Sequence, residues 1–167
     1  MDNDRKIIVI KSNSSLGGDN RLFWLFSKNQ LELVLKEIER ISLAPANGFC
    51  EATITWQDDI LPVVSLEKYF GIPEASLASP AKHLILKGAF HEGQEVQLSM
   101  IAIPIFADLK MGSLNFTGKS ISPEILKSNS TDILGAYELA GRKIVVIPDI
   151  CKIASRSRLL LMDQGRP

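Results

Sequence analysis

Hydrophobic residues in this chain fall into short runs, rich in valine and isoleucine, that turn-forming residues interrupt at intervals of about ten positions. This spacing is typical of many small strands packed as barrels or sandwiches, and long helices look scarce. Nine strands are predicted, at residues 6–11, 22–27, 31–35, 52–56, 60–64, 83–88, 95–101, 135–139 and 143–147. The sequence therefore predicts a mainly β protein.

Two segments have a less clear pattern. Residues 12–20 are rich in Ser, Asn and Gly, which predicts a flexible loop or linker, so residues 1–20 form either an N-terminal arm or an extra strand. Residues 31–41 keep apolar side chains at helical spacing, while Leu31, Leu33 and Leu35 also alternate as in a strand. The local pattern alone slightly favours a helix for residues 31–41.

Start signals mark three short helices. Ser65 can cap a helix over residues 66–70 that Gly71 would end, and Ser122 precedes Pro123 at a first helical position. Asp149 can cap a helix over residues 150–154. Residues 156–167 are expected to form a C-terminal tail, either a short helix that packs on the strands or a partner-binding segment.

An internal repeat is the most informative pattern. Residues 52–70 read as strand, tight turn, strand and capped helix, and residues 135–153 read the same way. The repeat suggests two similar β-subdomains packed together, although any two hairpins followed by a helix would look alike. Pro80, after a Ser-Ala run, places the boundary between the halves near residues 75–82.

Composition narrows the class of protein. The chain has 167 residues, 46% of them hydrophobic, which is enough for a core without disulfide or metal staples. Its 19 basic and 19 acidic residues balance, which argues against a nucleic-acid partner. Two distant cysteines and an apolar run of only residues 7–10 near the N-terminus favour a reduced, cytoplasmic protein with no membrane insertion.

Candidate catalytic chemistry is weak. Asp58 and Asp59 are adjacent carboxylates, but in a hairpin turn they are ordinarily solvated. His83 and His91 lack an orienting partner in the sequence, and no phosphate-binding loop is present. The sequence therefore predicts no enzymatic activity, no metal and no cofactor.

The order of several motifs resembles the CheW-like family, the coupling adaptors of bacterial chemotaxis. The resemblance rests on FWLF at residues 23–26, ILPVVSL at 60–66 followed by FG at 70–71, and ILGAYELAGR at 133–142 running into IVVIPDI at 144–150. It implies two SH3-like five-stranded β-barrel subdomains packed together within residues 21–155, with a few short helices. It would also make residues 31–35 a strand followed by a tight bend.

The resemblance further implies binding surfaces, and the sequence departs from the family there. Where the family has Asn-Leu-Arg-Gly, this chain has Thr55, Trp56, Gln57 and Asp58, so a neutral amide replaces an arginine. Arg40 replaces an acidic residue on the bend. The expected partner-binding residues are Ile38, Arg40, Ile41, Thr55, Trp56, Gln57 and Asp58.

Each of these apolar candidates has a second interpretation. Ile38 and Ile41 fit a core position as well as an interface, and Trp56 fits either an exposed interface anchor or a cover over one barrel end. Trp24 follows Phe23 on a strand, so one of the two must face away from the barrel core, and Trp24 is expected to fill the joint between subdomains.

By this resemblance, the chain is a non-catalytic adaptor whose partners are the regulatory domain of a CheA-like histidine kinase and the cytoplasmic tip of a methyl-accepting chemoreceptor. Because Gln57 and Arg40 depart from the family pattern, a scaffold for another two-component system is the alternative. A small-molecule-binding or enzymatic β-barrel protein is a less favoured third interpretation, which a deep polar pocket with a shifted titratable pair would support.

Overall fold

The structure is a computed structural model that describes residues 6–36, 38–74, 79–80, 82–113 and 117–164. These residues form twelve β-strands, two α-helices and three single-turn 3-10 helices. The strands are β1 (Lys6–Leu16), β2 (Asn20–Ser27), β3 (Leu31–Lys36), β4 (Ile41–Asn47), β5 (Cys50–Trp56), β6 (Asp59–Val64), β7 (Lys82–Glu92), β8 (Glu95–Ile105), β9 (Lys110–Ser113), β10 (Lys119–Ser120), β11 (Ile133–Leu139) and β12 (Lys143–Pro148). The helices are α1 (Leu66–Tyr69) and α2 (Ile150–Gln164).

The strands form two six-stranded sheets. Sheet A has the order β10-β11-β12-β2-β1-β9, and sheet B has the order β3-β7-β8-β6-β5-β4. In each sheet the two edge strands are consecutive in the chain, joined by residues 114–118 in sheet A and by residues 37–40 in sheet B. A connection of that length spans at most about 20 Å, so each sheet must curl until its two edges approach each other. The fold is therefore two packed, barrel-like β-layers. The predicted mainly β class with two packed SH3-like subdomains is confirmed, but each sheet has six strands where five were predicted.

The two sheets have the same topology. Each contains one parallel pair, β12 with β2 in sheet A and β6 with β8 in sheet B, and the remaining neighbours in each sheet that pair are antiparallel. Reading from the parallel pair outward, the hairpin β1–β2 occupies in sheet A the place that β7–β8 occupies in sheet B. The N-terminal hairpin therefore completes the sheet that the C-terminal third of the chain begins.

Alternation along the strands divides the core into three clusters. One face of both sheets supplies a large interlayer core, which includes Trp24, Phe26, Leu84 and Ile103. The opposite faces line the two curled sheets from within. The sheet B interior contains the buried residues Ala52, Ile54, Leu61, Val63, Ile85 and Ala102, and the sheet A interior contains Ile7, Leu25 and Val145.

Helix α2 lies against β7 and β8, and a glycine permits the close contact. A Cβ atom added to Gly88 would lie 2.8 Å from the Cα atom of Cys151 and 2.9 Å from the carbonyl oxygen of Ile150. Asp149 caps the helix, because its Oδ1 accepts a hydrogen bond of 3.2 Å from the backbone N–H of Lys152. The predicted cap is confirmed.

Several predicted elements are confirmed and others need correction. All nine predicted strands are present, and residues 31–36 form a strand, so the helical interpretation of residues 31–41 was wrong. Ser65 caps α1, and Ser122 caps a 3-10 turn that begins at Pro123. The second α-helix runs for 15 residues to Gln164, beyond the predicted end at residue 154, so residues 156–164 continue it.

The expected flexible loop at residues 12–20 is the other correction. Strand β1 continues to Leu16, and only residues 17–19 form the turn to β2. Ser12 and Ser14 are buried, and their hydroxyl groups have hydrogen-bond acceptors there. The Ser12 hydroxyl donates to Glu67, and the Ser14 hydroxyl donates to the carbonyl oxygen of Pro73. Distant partners therefore satisfy the polar groups that made the segment resemble a loop.

Sheet membership changes along the chain between β8 and β9. Residues 75–82, where the sequence places the boundary between halves, lie between α1 and β7, and the strands on both sides of this segment belong to sheet B. Residues 75–78 and 81 are outside the described residues.

Candidate functional site

A cavity of about 390 Å³ opens where the two edges of sheet B approach each other. It is called the edge notch here. Its lining comes from the end of β3, the following bend, the start of β4 and the end of β5, and consists of Leu35, Lys36, Ile38, Glu39, Ile41, Thr55 and Trp56. Four of the seven residues expected from the sequence to bind a partner therefore line one recess.

The apolar side chains of the edge notch differ in how far they are buried. Ile41 is 58% exposed, although it lies on strand β4 opposite Thr53. Ile38 and Trp56 are half-buried and pack against the sheet B interior. Trp56 thus covers one end of the curled sheet while leaving part of its ring system accessible at the notch.

Gln57 and Asp58 form the turn of the β5–β6 hairpin beside the notch. Both are exposed and both have a left-handed backbone, with φ values of 48° and 64°. Two consecutive residues at positive φ are typical of the tightest hairpin turns, in which Asn and Gly are favoured. Asp58 and the neighbouring Asp59 are solvated, as expected for turn carboxylates. In the part of the chain that the structure describes, no group of three or more His, Cys, Asp or Glu residues could hold a metal ion.

Arg40 faces away from the notch. Its Nη2 lies 3.4 Å from Oε2 of Glu51, whose other oxygen lies 3.1 Å from Nζ of Lys68. Arg40 also lines a separate, mixed-charge cavity of about 320 Å³ that includes Glu67 and Lys68. Arg40 is therefore separated from the other residues that were expected to bind a partner, because it is paired with Glu51 and does not line the edge notch.

A groove of about 380 Å³ lies where the β1–β2 hairpin of sheet A approaches the segment that follows α1, and sequence reasoning did not find it. It is called the joint groove here. Three segments far apart in the chain form it, residues 15–20 of the β1–β2 hairpin, residues 71–73 after α1, and residues 125 and 127. Gly71 has φ of +69° and lies against Ser128, so a side chain there would be strained and crowded. No local pattern reveals a groove built from such distant segments.

Trp24 occupies the joint between the sheets, as predicted. Its side chain is 2% exposed and stacks on Phe70 at the end of α1, with ring centroids 5.5 Å apart. Its Nε1 donates a 3.2 Å hydrogen bond to Glu67 on α1. Phe23 faces the sheet A interior instead.

A buried carboxylate links α1 to α2. Asp132 is fully buried and accepts a short hydrogen bond from the hydroxyl of Tyr69. Its other contacts are cations of α2, with Arg156 at 3.3 Å and Lys152 at 3.9 Å. Burial, and then the adjacent Asp132, raises the pKa of Tyr69 above its ordinary range.

Two further interior groups have shifted pKa values. Burial raises the pKa of Cys50 to about 11, partly offset by a hydrogen bond with Ser157. Burial, with a smaller effect of the Arg40 charge, lowers the pKa of His83 to about 4. Both residues are less than a tenth exposed. These shifts arise in the packed interior and not in the edge notch or the joint groove.

Together these features define a mainly β domain of two packed barrel-like layers, with open surface recesses that combine apolar and polar side chains. The family model of the CheW-like domain matches residues 31–158, and the chain belongs to this family of chemotaxis adaptor domains. Among curated proteins, none matches the sequence significantly.

A solved structure supports the same fold. The scaffolding protein TtCheW from Thermoanaerobacter tengcongensis superposes with a TM-score of 0.59 at 18% sequence identity. The match covers 87% of this chain and 84% of that chain. In the described part of the chain, no helix has the length and apolar character needed to cross a membrane.

Proposed function

We propose that this protein is a non-catalytic cytoplasmic adaptor that couples the tip of a methyl-accepting chemoreceptor to the regulatory domain of a CheA-like histidine kinase. The observation that carries the proposal is the edge notch, where Ile41 and Trp56 present accessible apolar surface on a protein of a chemotaxis adaptor family. Partly exposed apolar and aromatic side chains around a recess are typical anchors of protein interfaces.

Coupling needs two contact surfaces, and the fold offers two. The edge notch lies on sheet B, whereas the joint groove lies between the β1–β2 hairpin of sheet A and the segments after α1 and around residue 125. An adaptor that binds one partner at each surface holds the two partners at a fixed distance, because the interlayer core joins both sheets. Each contact then favours one arrangement of the assembly, and this shared preference couples the partners.

The surface chemistry supports binding more than catalysis. Four of the seven residues that line the edge notch are apolar, and Lys36 and Glu39 are its charged members. A catalytic site would instead need a nucleophile or base held by an orienting partner. In the described residues, the shifted groups Cys50, Tyr69 and His83 are buried side chains of the interior.

A scaffold for another two-component system remains the second candidate, and a specific observation favours it. Gln57 stands where the family has an arginine, and Arg40 is paired with Glu51, so neither side chain offers a free guanidinium beside the notch. A partner that uses an acidic group to recognise the hairpin would bind this chain weakly.

The proposal is tested by Ile41→Asp, with Leu134→Asp as the matched control. Both residues are exposed on strands, at 58% and 67%, but Leu134 lies on sheet A outside the notch. We expect Ile41→Asp to weaken binding of a purified kinase regulatory domain or receptor-tip fragment by about tenfold or more, measured by calorimetry. Leu134→Asp should leave that affinity unchanged, and both variants should keep their thermal midpoints because the sites are solvated.

The outcomes separate the candidates. Equal losses in both variants would contradict the edge notch as the binding surface. If the unmodified chain binds neither domain but Gln57→Arg restores binding, the scaffold serves a different system and the missing guanidinium determines partner choice. If neither the unmodified chain nor Gln57→Arg binds either domain, the coupling function is wrong.

A further inference from the structure

The interior of sheet A is less completely filled than that of sheet B. Among the described residues it has three buried members, against six in the sheet B interior. Val9, Phe23, Leu139 and Ile147 complete it but remain partly exposed. A cavity of about 300 Å³, called the sheet A pocket here, opens into this interior. Apolar surface that should be covered by packing is therefore accessible from outside.

The lining of the sheet A pocket combines an apolar base with two lysines, one on each of the flanking strands β9 and β12. Inward-facing residues of three adjacent strands form the base, namely Ile7, Val9, Phe23, Leu25 and Val145, with Leu139 of β11 beside them. Lys110 and Lys143 line the same cavity. Within the described residues, neither lysine has an ion pair or a hydrogen-bond partner.

The charge of the whole layer favours an anion at this pocket. The strands of sheet A carry six cationic side chains, Lys6, Lys11, Arg21, Lys110, Lys119 and Lys143, and one carboxylate, Glu138. The strands of sheet B carry three lysines and five carboxylates. Although the chain is neutral as a whole, the strands of sheet A carry a net positive charge and the strands of sheet B a net negative charge. The sheet A pocket therefore lies in the cationic layer, which favours an anionic ligand.

We propose that the sheet A pocket binds a small amphiphilic carboxylate, a medium-chain aliphatic acid, with its chain in the sheet A interior and its carboxylate beside Lys110 and Lys143. Burial of the aliphatic chain would supply most of the binding energy. The lysines orient the ligand and select an anionic head group. Such a site goes beyond the adaptor function and does not depend on it.

The first test uses the full chain with labelled Ile, Leu and Val methyl groups, titrated with decanoate below its micelle concentration. We expect saturable shifts at Ile7, Val9, Leu25 and Val145, together with a rise in the thermal midpoint. Decanol, which has the same chain length and no charge, should bind at least about fivefold more weakly, which corresponds to a contribution of about 1 kcal/mol from the two lysines together. Absent or non-saturable shifts, shifts confined to the other cavities, or equal affinity for decanol would overturn the proposal.

Charge reversal supplies the second test. Lys110→Glu with Lys143→Glu should abolish saturable decanoate binding, whereas Lys11→Glu with Lys119→Glu makes the same change in net charge on the same sheet outside the pocket. The control pair should retain most of the affinity. Val9→Phe should also abolish binding by filling the pocket while the lysines remain. Circular dichroism checks that each variant is folded, and equal losses in the two double variants would exclude a specific site.

Discussion

Burial changes the chemistry of individual side chains in this protein more than neighbouring charges do. For Cys50, Tyr69 and His83, removal from water is the largest cause of the pKa shift, and each shift favours the neutral form. His83 lies on β7, and its Nε2 is buried without a hydrogen-bond partner among the described residues. Protonation of this ring in the folded protein would place an uncompensated charge near Arg40.

The stability of the protein should therefore depend on pH through His83. The unfolded histidine binds a proton below its ordinary pKa of 6.5, whereas the folded one stays neutral until about pH 4. The free energy of unfolding thus keeps this contribution above pH 6.5 and loses it progressively between pH 6.5 and 4, by about 3 kcal/mol at most. Urea unfolding at several pH values should show a shallower pH dependence for His83→Gln than for the unmodified chain. Parallel curves for the two proteins would contradict a neutral, buried His83.

Single residues could be placed from the sequence where the alternation of side chains along a strand determines which face is buried. Successive side chains of a strand face opposite sides of the sheet, so Phe23 and Trp24 cannot both face the sheet A interior. For this reason Trp24 was predicted to fill the joint, where it lies in the interlayer core. The family resemblance assigned Ile41 and Trp56 to one partner-binding set, and both line the edge notch, whereas their role in binding stays a prediction. The orientation of Arg40 was not accessible, because its pairing with Glu51 depends on the register between β4 and β5, which local sequence does not specify.

At the scale of elements, long-range hydrogen bonds and close packing override local propensity. Ser12 and Ser14 sit in a strand because Glu67 and Pro73 accept from them across the joint. Ser155 and Ser157 likewise do not end α2, and the Ser157 hydroxyl donates to the carbonyl oxygen of Ile153 one turn earlier. The strand at residues 12–16 was missed because serine resembles a loop residue wherever its partner is unknown. A short helix was one of the two alternatives predicted for residues 156–167, but its continuity with α2 was missed.

The contact between β7 and α2 gives a prediction for this scale. Gly88→Ala should lower the free energy of unfolding by about 1–3 kcal/mol, because the new Cβ meets helix backbone that has no room to rotate away. Gly112→Ala is the matched control, a strand glycine with open space around the position of a Cβ. Removal of glycine entropy should leave that control neutral or slightly more stable. Equal thermal midpoints for the two variants would show that α2 is not held this closely.

The whole molecule behaves as one unit because the chain crosses between its layers twice. Sheet A takes β1 and β2 from the N-terminus and β9 to β12 from the C-terminal third, and Arg21 of β2 pairs with Lys143 of β12. The sequence repeat identified the two strand-strand-helix units but not this exchange. A parallel pairing between residues more than a hundred positions apart leaves no local pattern to detect.

Unfolding should accordingly be a single transition, and the two tryptophans allow a direct test. Trp24 reports on the interlayer core and Trp56 on the sheet B interior. Because the interlayer core includes buried side chains from both sheets, loss of either sheet would expose the apolar face of the other, at a cost larger than a partly folded state could offset. In the single-tryptophan variants Trp56→Phe and Trp24→Phe, fluorescence and far-ultraviolet circular dichroism should give the same urea midpoint within each protein. Separate midpoints for the two probes would mean that one sheet can persist without the other, and the rigid connection that the proposed coupling requires would then be absent.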